Sequence, residues 1–241
     1  MTFRKEILAE GVDLYLGDCR EVLPTLGRVD AVVTDPPYDA FTHKGAMTSS
    51  AKEFGIEFGH LDDLDFLLPL LGNVESWALF FCGLEMLGKY QAAAPDKYVR
   101  GAFWDRISNA PQISGDRPAQ GGEGIAIFHG RRKNMKWNGG GRAGLFRHLV
   151  ERGSKEHPTQ KPISLIQEIL ELFSFDGETI IDPFMGSGTT GVAAVKLGRK
   201  FIGVEIEPKY FDIACKRISE ALKQPDMFIE KPKPAKQEAM L

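Results

Sequence analysis

The sequence predicts an α/β fold, a mostly parallel sheet with helices packed on both faces. Three observations carry that prediction. Strand-like and helix-like segments alternate along most of the chain; an apolar strand runs straight into Asp35-Pro-Pro-Tyr38; and a late strand, Thr179-Ile-Ile-Asp182, runs into a glycine turn and the start of a helix. Such alternation implies parallel strands joined by helical crossovers.

Asp13 to Asp18 reads as a short strand ending in a turn, and Arg20 to Leu26 as a short helix. Asp30-Ala-Val-Val-Thr34 is an apolar strand, ended by two prolines that hold the backbone extended. Residues 39–60 have little periodicity and read as a loop. Leu61 to Leu71 reads as a helix, Trp77 to Phe81 as a buried strand, Gly83 to Ala93 as a helix and Val99 to Trp104 as a strand. Two polar, irregular stretches come next, 105–124 and 130–156, with a short strand, Ile125 to Phe128, between them.

Regular order then returns. Pro162 to Phe173 carries apolar residues at 163, 165, 166, 169, 170, 172 and 173, an amphipathic helix with proline in its first turn. Thr179 to Asp182 is a strand, Thr189 to Leu197 a helix, Lys200 to Glu205 a strand, and Pro208 to Leu222 a helix. The expected organisation is one domain, 1–222, with an insertion at 105–156 and a flexible Pro/Lys-rich tail at 223–241.

With 241 residues, the chain is long enough to bury one good core. No apolar run is long enough to span a bilayer and the start lacks an apolar signal core, so a cytoplasmic protein with no membrane partner is expected. Cys19, Cys82 and Cys215 are too few and too scattered for a disulfide framework or a zinc site, and no metal is expected. None follows a proline, so the Pro-Cys nucleophile of cytosine-C5 methyltransferases is missing. The net charge of −3 argues mildly against a nucleic-acid partner. Its distribution argues back: from Arg131 to Lys155 there are eight basic residues against one acid, Glu151. A basic segment on an otherwise acidic protein suits a phosphate backbone.

The segment Asp182-Pro-Phe184-Met-Gly186-Ser187-Gly188-Thr-Thr-Gly191 lets the backbone turn sharply and approach a ligand at the carboxyl ends of the strands. Glu205 closes the next strand, where a carboxylate accepts hydrogen bonds from both hydroxyls of a ribose. An adenosine-bearing cofactor is therefore expected. Gly186, Gly188 and Gly191 also match the dinucleotide-binding G-x-G-x-x-G, which alone is a weak signal. Asp182-Pro-Phe184 ahead of the first glycine, and only about thirty residues between Glu205 and the tail, count against a nicotinamide cofactor.

Asp35-Pro36-Pro37-Tyr38 suggests chemistry on an amino group. The lone pair of an exocyclic amine is delocalised into its ring, and an enzyme must localise it before it attacks. Two rigid acceptors side by side, the Asp35 carboxylate and the Pro36 carbonyl, do this by binding both amino hydrogens. Tyr38 is placed to stack on the base, which must be flipped out of a duplex to reach such a pocket. An isolated D-P-P-Y is more often a strand-ending turn; its company here, an apolar strand and a glycine loop, favours the functional reading.

Asp35-Pro-Pro-Tyr38, then His157-Pro-Thr159-Gln-Lys161-Pro162, then Asp182-Pro-Phe-Met-Gly-Ser-Gly188 resembles, in that order, the beta-class amino methyltransferases of DNA. The resemblance implies a Rossmann-like, seven-stranded S-adenosylmethionine-dependent methyltransferase fold, permuted in sequence, with a target-recognition region in the insertion. It implies that Asp18 and Cys19 lie at the cofactor's adenine, with Asp18 accepting from its amino group. Asp35 would face the methionine end and the target amine. Thr159 and Lys161 would lie near the methionine carboxylate, and His157 is a further candidate for cofactor contact, with capping of the following helix as its alternative role. Asp182, Phe184, Gly186, Ser187 and Gly188 would line the cofactor, and Glu205 would hold its ribose. Within the insertion, Arg117, Arg131, Arg132, Lys133, Lys136 and Arg142 are candidates for DNA contact. Pro111 to Ala119 and Trp137 to Arg142 are similar to phage and prophage members.

The implied function is methyl transfer from S-adenosylmethionine to adenine N6 in double-stranded DNA, within restriction-modification or as an orphan activity. Cytosine N4 is the alternative target, Asp rather than Ser at position 35 tilting towards adenine. The resemblance also brings in a homodimer and a cognate restriction endonuclease as partners. Methylation of a protein amide, a non-catalytic DNA-binding protein and a nicotinamide-dependent oxidoreductase are weaker rivals.

Overall fold

A computed structural model describes residues 3–37, 64, 67–107, 115–116, 118–132, 137–150 and 160–224. The expected loop at 39–60, the start of the helix expected from Leu61, and nearly all of the tail lie outside these residues. The described elements form one sheet with helices on both faces. The strands are β1 (Arg4–Ala9), β2 (Val12–Leu16), β3 (Val29–Thr34), β4 (Val74–Cys82), β5 (Tyr98–Asp105), β6 (Gly122–His129), β7 (Leu145–Arg147), β8 (Thr179–Asp182) and β9 (Lys200–Glu205). The helices are α1 (Cys19–Val22), α2 (Leu67–Asn73), α3 (Leu87–Ala93), α4 (Ile163–Phe173), α5 (Thr189–Lys196) and α6 (Pro208–Lys223).

The nine strands run in the order β1-β2-β9-β8-β3-β4-β6-β5-β7. The expected seven are the inner run from β2 to β5, and the sheet is wider than expected by one strand at each edge. β2, β9, β8, β3 and β4 run parallel to one another, whereas β1 is antiparallel to β2 and β6 is antiparallel to both β4 and β5. β1 was not legible because it is an edge strand whose exposed Arg4-Lys-Glu carries no apolar alternation. It forms a hairpin with β2 through Glu10-Gly11, where Gly11 adopts φ +76°. Arg4–Asp212 (3.2 Å) and Lys5–Asp13 (2.8 Å) ion pairs line this edge, and charge on an edge discourages pairing with other chains.

Alternation along the strands divides the core between the two faces. On one, Val12, Leu14, Ala31, Val33, Leu79 and Ile180 pack against α4, α5 and α6. α4 contributes Leu165, Ile166, Ile169, Leu170, Leu172 and Phe173, all buried, as its periodicity predicts. On the other, Val32, Ala78, Phe80, Phe128 and Ile181 pack against the residues of α2 and α3, while Tyr15 and Val204 pack against α1.

β6 changes the picture of the insertion. It is a buried inner strand, paired along its length with β4 and β5, so 105–156 is not a single appendage. The chain leaves β6 at the amino end of β4, where Arg131 N donates to Val74 O at 2.8 Å. By residue 145 it has returned as β7, parallel to β5. On the way Asn138 closes the last turn of α4, its Nδ2 donating to Glu171 O at 2.8 Å. Trp137 lies 5.5 Å from the Phe173 ring.

Candidate active site

Sheet topology decides where a ligand sits. From β8 the chain crosses one way, to β9; from β3 it crosses the other way, to β4. Crevices at the carboxyl ends of strands open at such a switch point, here between Thr34 at the tip of β3 and Asp182 at the tip of β8. The two strands pair only at Ala31↔Ile180 and Val32↔Ile181. Side chains clamp them at both ends. Asp30 Oδ2 accepts from Thr179 N at 2.8 Å, and Thr34 Oγ1 donates to Asp182 Oδ1 at 2.6 Å.

Asp182 is buried, and its carboxylate also receives Phe184 N at 3.1 Å, so it organises the glycine turn from beneath. Burial pushes its pKa up to about 6, against the hydrogen bonds from Thr34 and Thr190. Gly186 and Gly188 have φ of +51° and +79°, a region L side chains avoid. A Cβ on Gly188 would also stand 2.9 Å from the Ala214 Cβ. The Ser187 hydroxyl receives Arg217 Nη1 of α6 at 2.9 Å. Phe184 is half-buried, packed against the buried clusters that contain Val32 and Ile181 and, next to them, Val22 and Val204.

Glu205, at the tip of β9, is bound to both neighbouring loops. Gly186 N and Glu207 N donate to its two oxygens at 2.9 and 2.8 Å, and its carbonyl receives Gly17 N at 2.9 Å. Burial raises its pKa, and the amides partly offset this. An ionised carboxylate accepts about four hydrogen bonds, so these contacts fix it while leaving capacity for ribose hydroxyls. Ile206, directly after it, is 62% exposed, an apolar surface beside that carboxylate. The set suits an adenosine-bearing ligand.

Asp18 caps α1, accepting from Arg20 N at 2.9 Å. Both its oxygens also take the Arg20 guanidinium, which holds the carboxyl below its usual range against partial burial. An incoming amino group would compete with Arg20 for these oxygens. Burial pushes the Cys19 thiol up to about 12, so it stays neutral.

Asp35 follows β3 directly and is fixed by Pro36 and Pro37. Its Oδ2 makes a close ion pair with Lys161, whose ammonium also lies 3.0 Å from Glu123 Oε2 on β6 and 5.2 Å from the Phe81 ring centre. Glu123 in turn holds Arg106, which stacks over Trp104. Asp35 and Lys161, far apart in sequence, thus meet in the fold. Glu123 and Arg106 were missed; a carboxylate beginning an otherwise apolar strand (Glu123-Gly-Ile-Ala-Ile-Phe128) was the only signal for the first.

The structure therefore gathers Asp18, Cys19, Asp35, Pro36, Pro37, Lys161, Asp182, Phe184, Gly186, Ser187, Gly188 and Glu205 at one end of the sheet. Tyr38, His157, Thr159, Arg117, Lys133 and Lys136 lie outside the described residues. Arg131 and Arg132 do not join the site. They flank Glu75 at the amino end of β4, at 3.5 and 3.6 Å. Thr34 pairs with Phe80, and from Val74 to Phe80 at about 3.3 Å per residue is roughly 20 Å. Composition showed the charge of this segment but not the end of the sheet on which it would sit. Arg142 is tied to Glu168 on α4, and Arg147, at the end of β7, lies 3.4 Å from Asp105.

A family model described as DNA methylase matches residues 83–216. The chain belongs to the DNA methylase family. The matched residues of the methylase include Glu123, Lys161 and the glycine turn; Asp35 precedes them. The methylase is 28% identical over 248 residues to the type II methyltransferase M.HinfI of Haemophilus influenzae, covering 87% of this chain and 69% of that one. Two other curated relatives match over 69 and 70 residues, 26% of their length. In structure it is similar to M1.HpyAVI in its complex with SAM, with TM-score 0.67 and 26% identity over 85% of this chain and 98% of that chain. It shares its fold with the cytosine-N4-specific PvuII DNA methyltransferase at TM-score 0.65 and 16% identity, over 87% and 90% of the two chains. The sheet is thus the Rossmann-like methyltransferase fold. Among the described residues no helix is long and apolar enough to cross a membrane.

Proposed function

We propose that this methylase transfers a methyl group from S-adenosylmethionine to the N6 amino group of an adenine flipped out of double-stranded DNA. The observation that carries the reading is the Asp35 carboxylate at the switch point, next to the glycine turn and ion-paired with the buried Lys161. When bound, S-adenosylmethionine supplies an electrophilic methyl group on a sulfonium sulfur. Glu205 would hold the ribose hydroxyls, Gly186 and Gly188 would admit the ligand close to the backbone, and Phe184 and Ile206 would offer apolar surface. Asp35 and the Pro36 carbonyl accept the two amino hydrogens of the base. This draws the nitrogen lone pair out of ring conjugation and towards the methyl group. The proton shed by the methylated nitrogen leaves along the same hydrogen bonds.

Asp at position 35 favours adenine, and cytosine N4 is the competing target, since the acceptor pair would serve either amine. DNA would approach the carboxyl-end edge of the sheet, where Arg147 is exposed. The test is transfer of a tritiated methyl group from S-adenosylmethionine to DNA, with mass spectrometry of the digested nucleosides. N6-methyladenine is expected, absent with Asp35→Ala of unchanged melting temperature. N4-methylcytosine would reassign the target, and undiminished transfer by Asp35→Ala would refute the role of this residue.

A further inference from the structure

Glu123 is 5% exposed and Lys161 7%. Ions at that depth are unfavourable unless closely paired, and even paired ones rarely add stability over apolar packing. Here they form part of a row of alternating charge, Asp35–Lys161–Glu123–Arg106, drawn from the end of β3, the residue pair before α4, the start of β6 and the residue after β5. Fold stability does not require such a row. Its outer carboxylate, however, is the one placed to grip the target amine, and that group needs a fixed position and a fixed charge.

We infer that Glu123 is a positioning residue for methyl transfer: it holds the Lys161 ammonium in place, and Lys161 in turn holds Asp35 ionised and oriented towards the target amine. The inference rests on the role proposed above for Asp35. Geometry gives Glu123 this role, because each of its oxygens meets a different cation, Arg106 on Oε1 and Lys161 on Oε2. Arg106 anchors Glu123 from outside, and the Phe81 ring confines Lys161 within.

The charges agree. Burial alone would lower the Lys161 pKa, but Asp35 and Glu123 outweigh it and hold the ammonium above its ordinary value. Burial would raise the Glu123 pKa, and Lys161 and Arg106 hold it below. Among the described residues, other titratable groups that interact with the row are Asp182 and Tyr90, each of which interacts with Asp35, and the Cys82 thiol, which burial keeps neutral with a pKa of about 12; burial likewise keeps the Tyr90 phenol neutral.

Glu123→Gln keeps the shape and removes the charge. Single-turnover transfer to DNA is then expected to fall about 10- to 100-fold, the scale of a small misplacement of a reacting group. S-adenosylmethionine affinity by calorimetry should fall much less than the rate, because Glu123 reaches the cofactor set only through Lys161. The alkaline limb of the rate–pH profile should move to lower pH, since Lys161 loses one of the anions that keep it protonated. A wild-type rate, an unmoved alkaline limb, or a parallel loss of rate and cofactor affinity would overturn the inference. Should Glu123→Gln not fold, Glu123→Asp keeps the charge but withdraws it from Lys161; a reduced rate with the limb at its wild-type position supports the inference and an unchanged rate overturns it. If Asp35→Ala is inactive while Glu123→Gln is unimpaired, this inference alone fails. If the wild-type protein transfers no methyl group to DNA, the function itself was misread.

Discussion

Thr34 and Asp182, 148 residues apart in sequence, meet through a buried 2.6 Å hydrogen bond at the mouth of the crevice. It joins the strand that delivers Asp35 to the strand that delivers the glycine turn, where the backbone ladder between them has already ended. Thr34→Val keeps the shape and removes the donor. A loss of about 1–3 kcal/mol is expected, the cost of leaving a buried acceptor short of a partner. Urea unfolding measures it; an unchanged midpoint would mean that Phe184 N and Thr190 suffice.

Asp182 also gives stability a pH dependence with a definite sign. Its folded pKa, about 6, lies above its ordinary 3.8. The folded state therefore prefers the protonated form, and the stability this confers is complete below about 4 and lost as pH rises through 6. Over that window the wild-type protein should lose on the order of 3 kcal/mol relative to Asp182→Asn, a shift of about two pKa units. Denaturant titrations of both proteins at pH 4 and pH 7.5 give the difference; a gap independent of pH would show that Asp182 titrates normally.

Gly188→Ala puts a side chain at φ +79° and drives it against Ala214 on α6. The left-handed conformation costs about 1–2 kcal/mol before the clash is counted. Relief requires the turn to move, so S-adenosylmethionine affinity is expected to fall about tenfold or more, as each 1.4 kcal/mol of lost binding is a factor of ten. Isothermal titration would read it, and wild-type affinity would mean that α6 yields instead.

The basic residues separate by height on the sheet. Arg147 ends β7 on the side of the strand tips, whereas Arg131 and Arg132 stand at the opposite end, around Glu75. Arg147→Ala should weaken DNA binding and reduce the slope of log affinity against log salt by about one, as expected for one lost phosphate contact. The double variant Arg131→Ala/Arg132→Ala should leave that slope unchanged. Fluorescence anisotropy across a salt series distinguishes the two, and the reverse ranking would place the DNA on the far side of the sheet.

What the sequence made legible was local. The strand into Asp35, the glycine turn and the Glu205 strand tip each show their chemistry within a dozen residues. Lys161 was marked by its motif, but its direct partner could not be: the pairing with Asp35 exists only because β3 and the entry to α4 converge on one crevice. Glu123 was hidden at the end of a stretch that looks irregular, just before the Ile125 to Phe128 strand, and the cations it meets among the described residues, Arg106 and Lys161, lie well away from it in sequence. The position of Arg131 and Arg132, away from the strand tips, was not legible because a charge run has no orientation until β6 fixes where it emerges. β1 was missed since an edge strand held by ion pairs needs no apolar stripe.

The order of the sheet also constrains how the chain comes together. β8 and β9, the last of the described strands, occupy its middle, between β2 and β3. During synthesis the first half is therefore left with an open slot, and pairings such as Leu14 with Gly203 close loops of nearly the whole chain. Contacts so distant in sequence make for slow folding. Until residues 179–205 emerge from the ribosome, the nascent polypeptide exposes two unfilled strand edges, those of β2 and β3, which invite pairing with other chains.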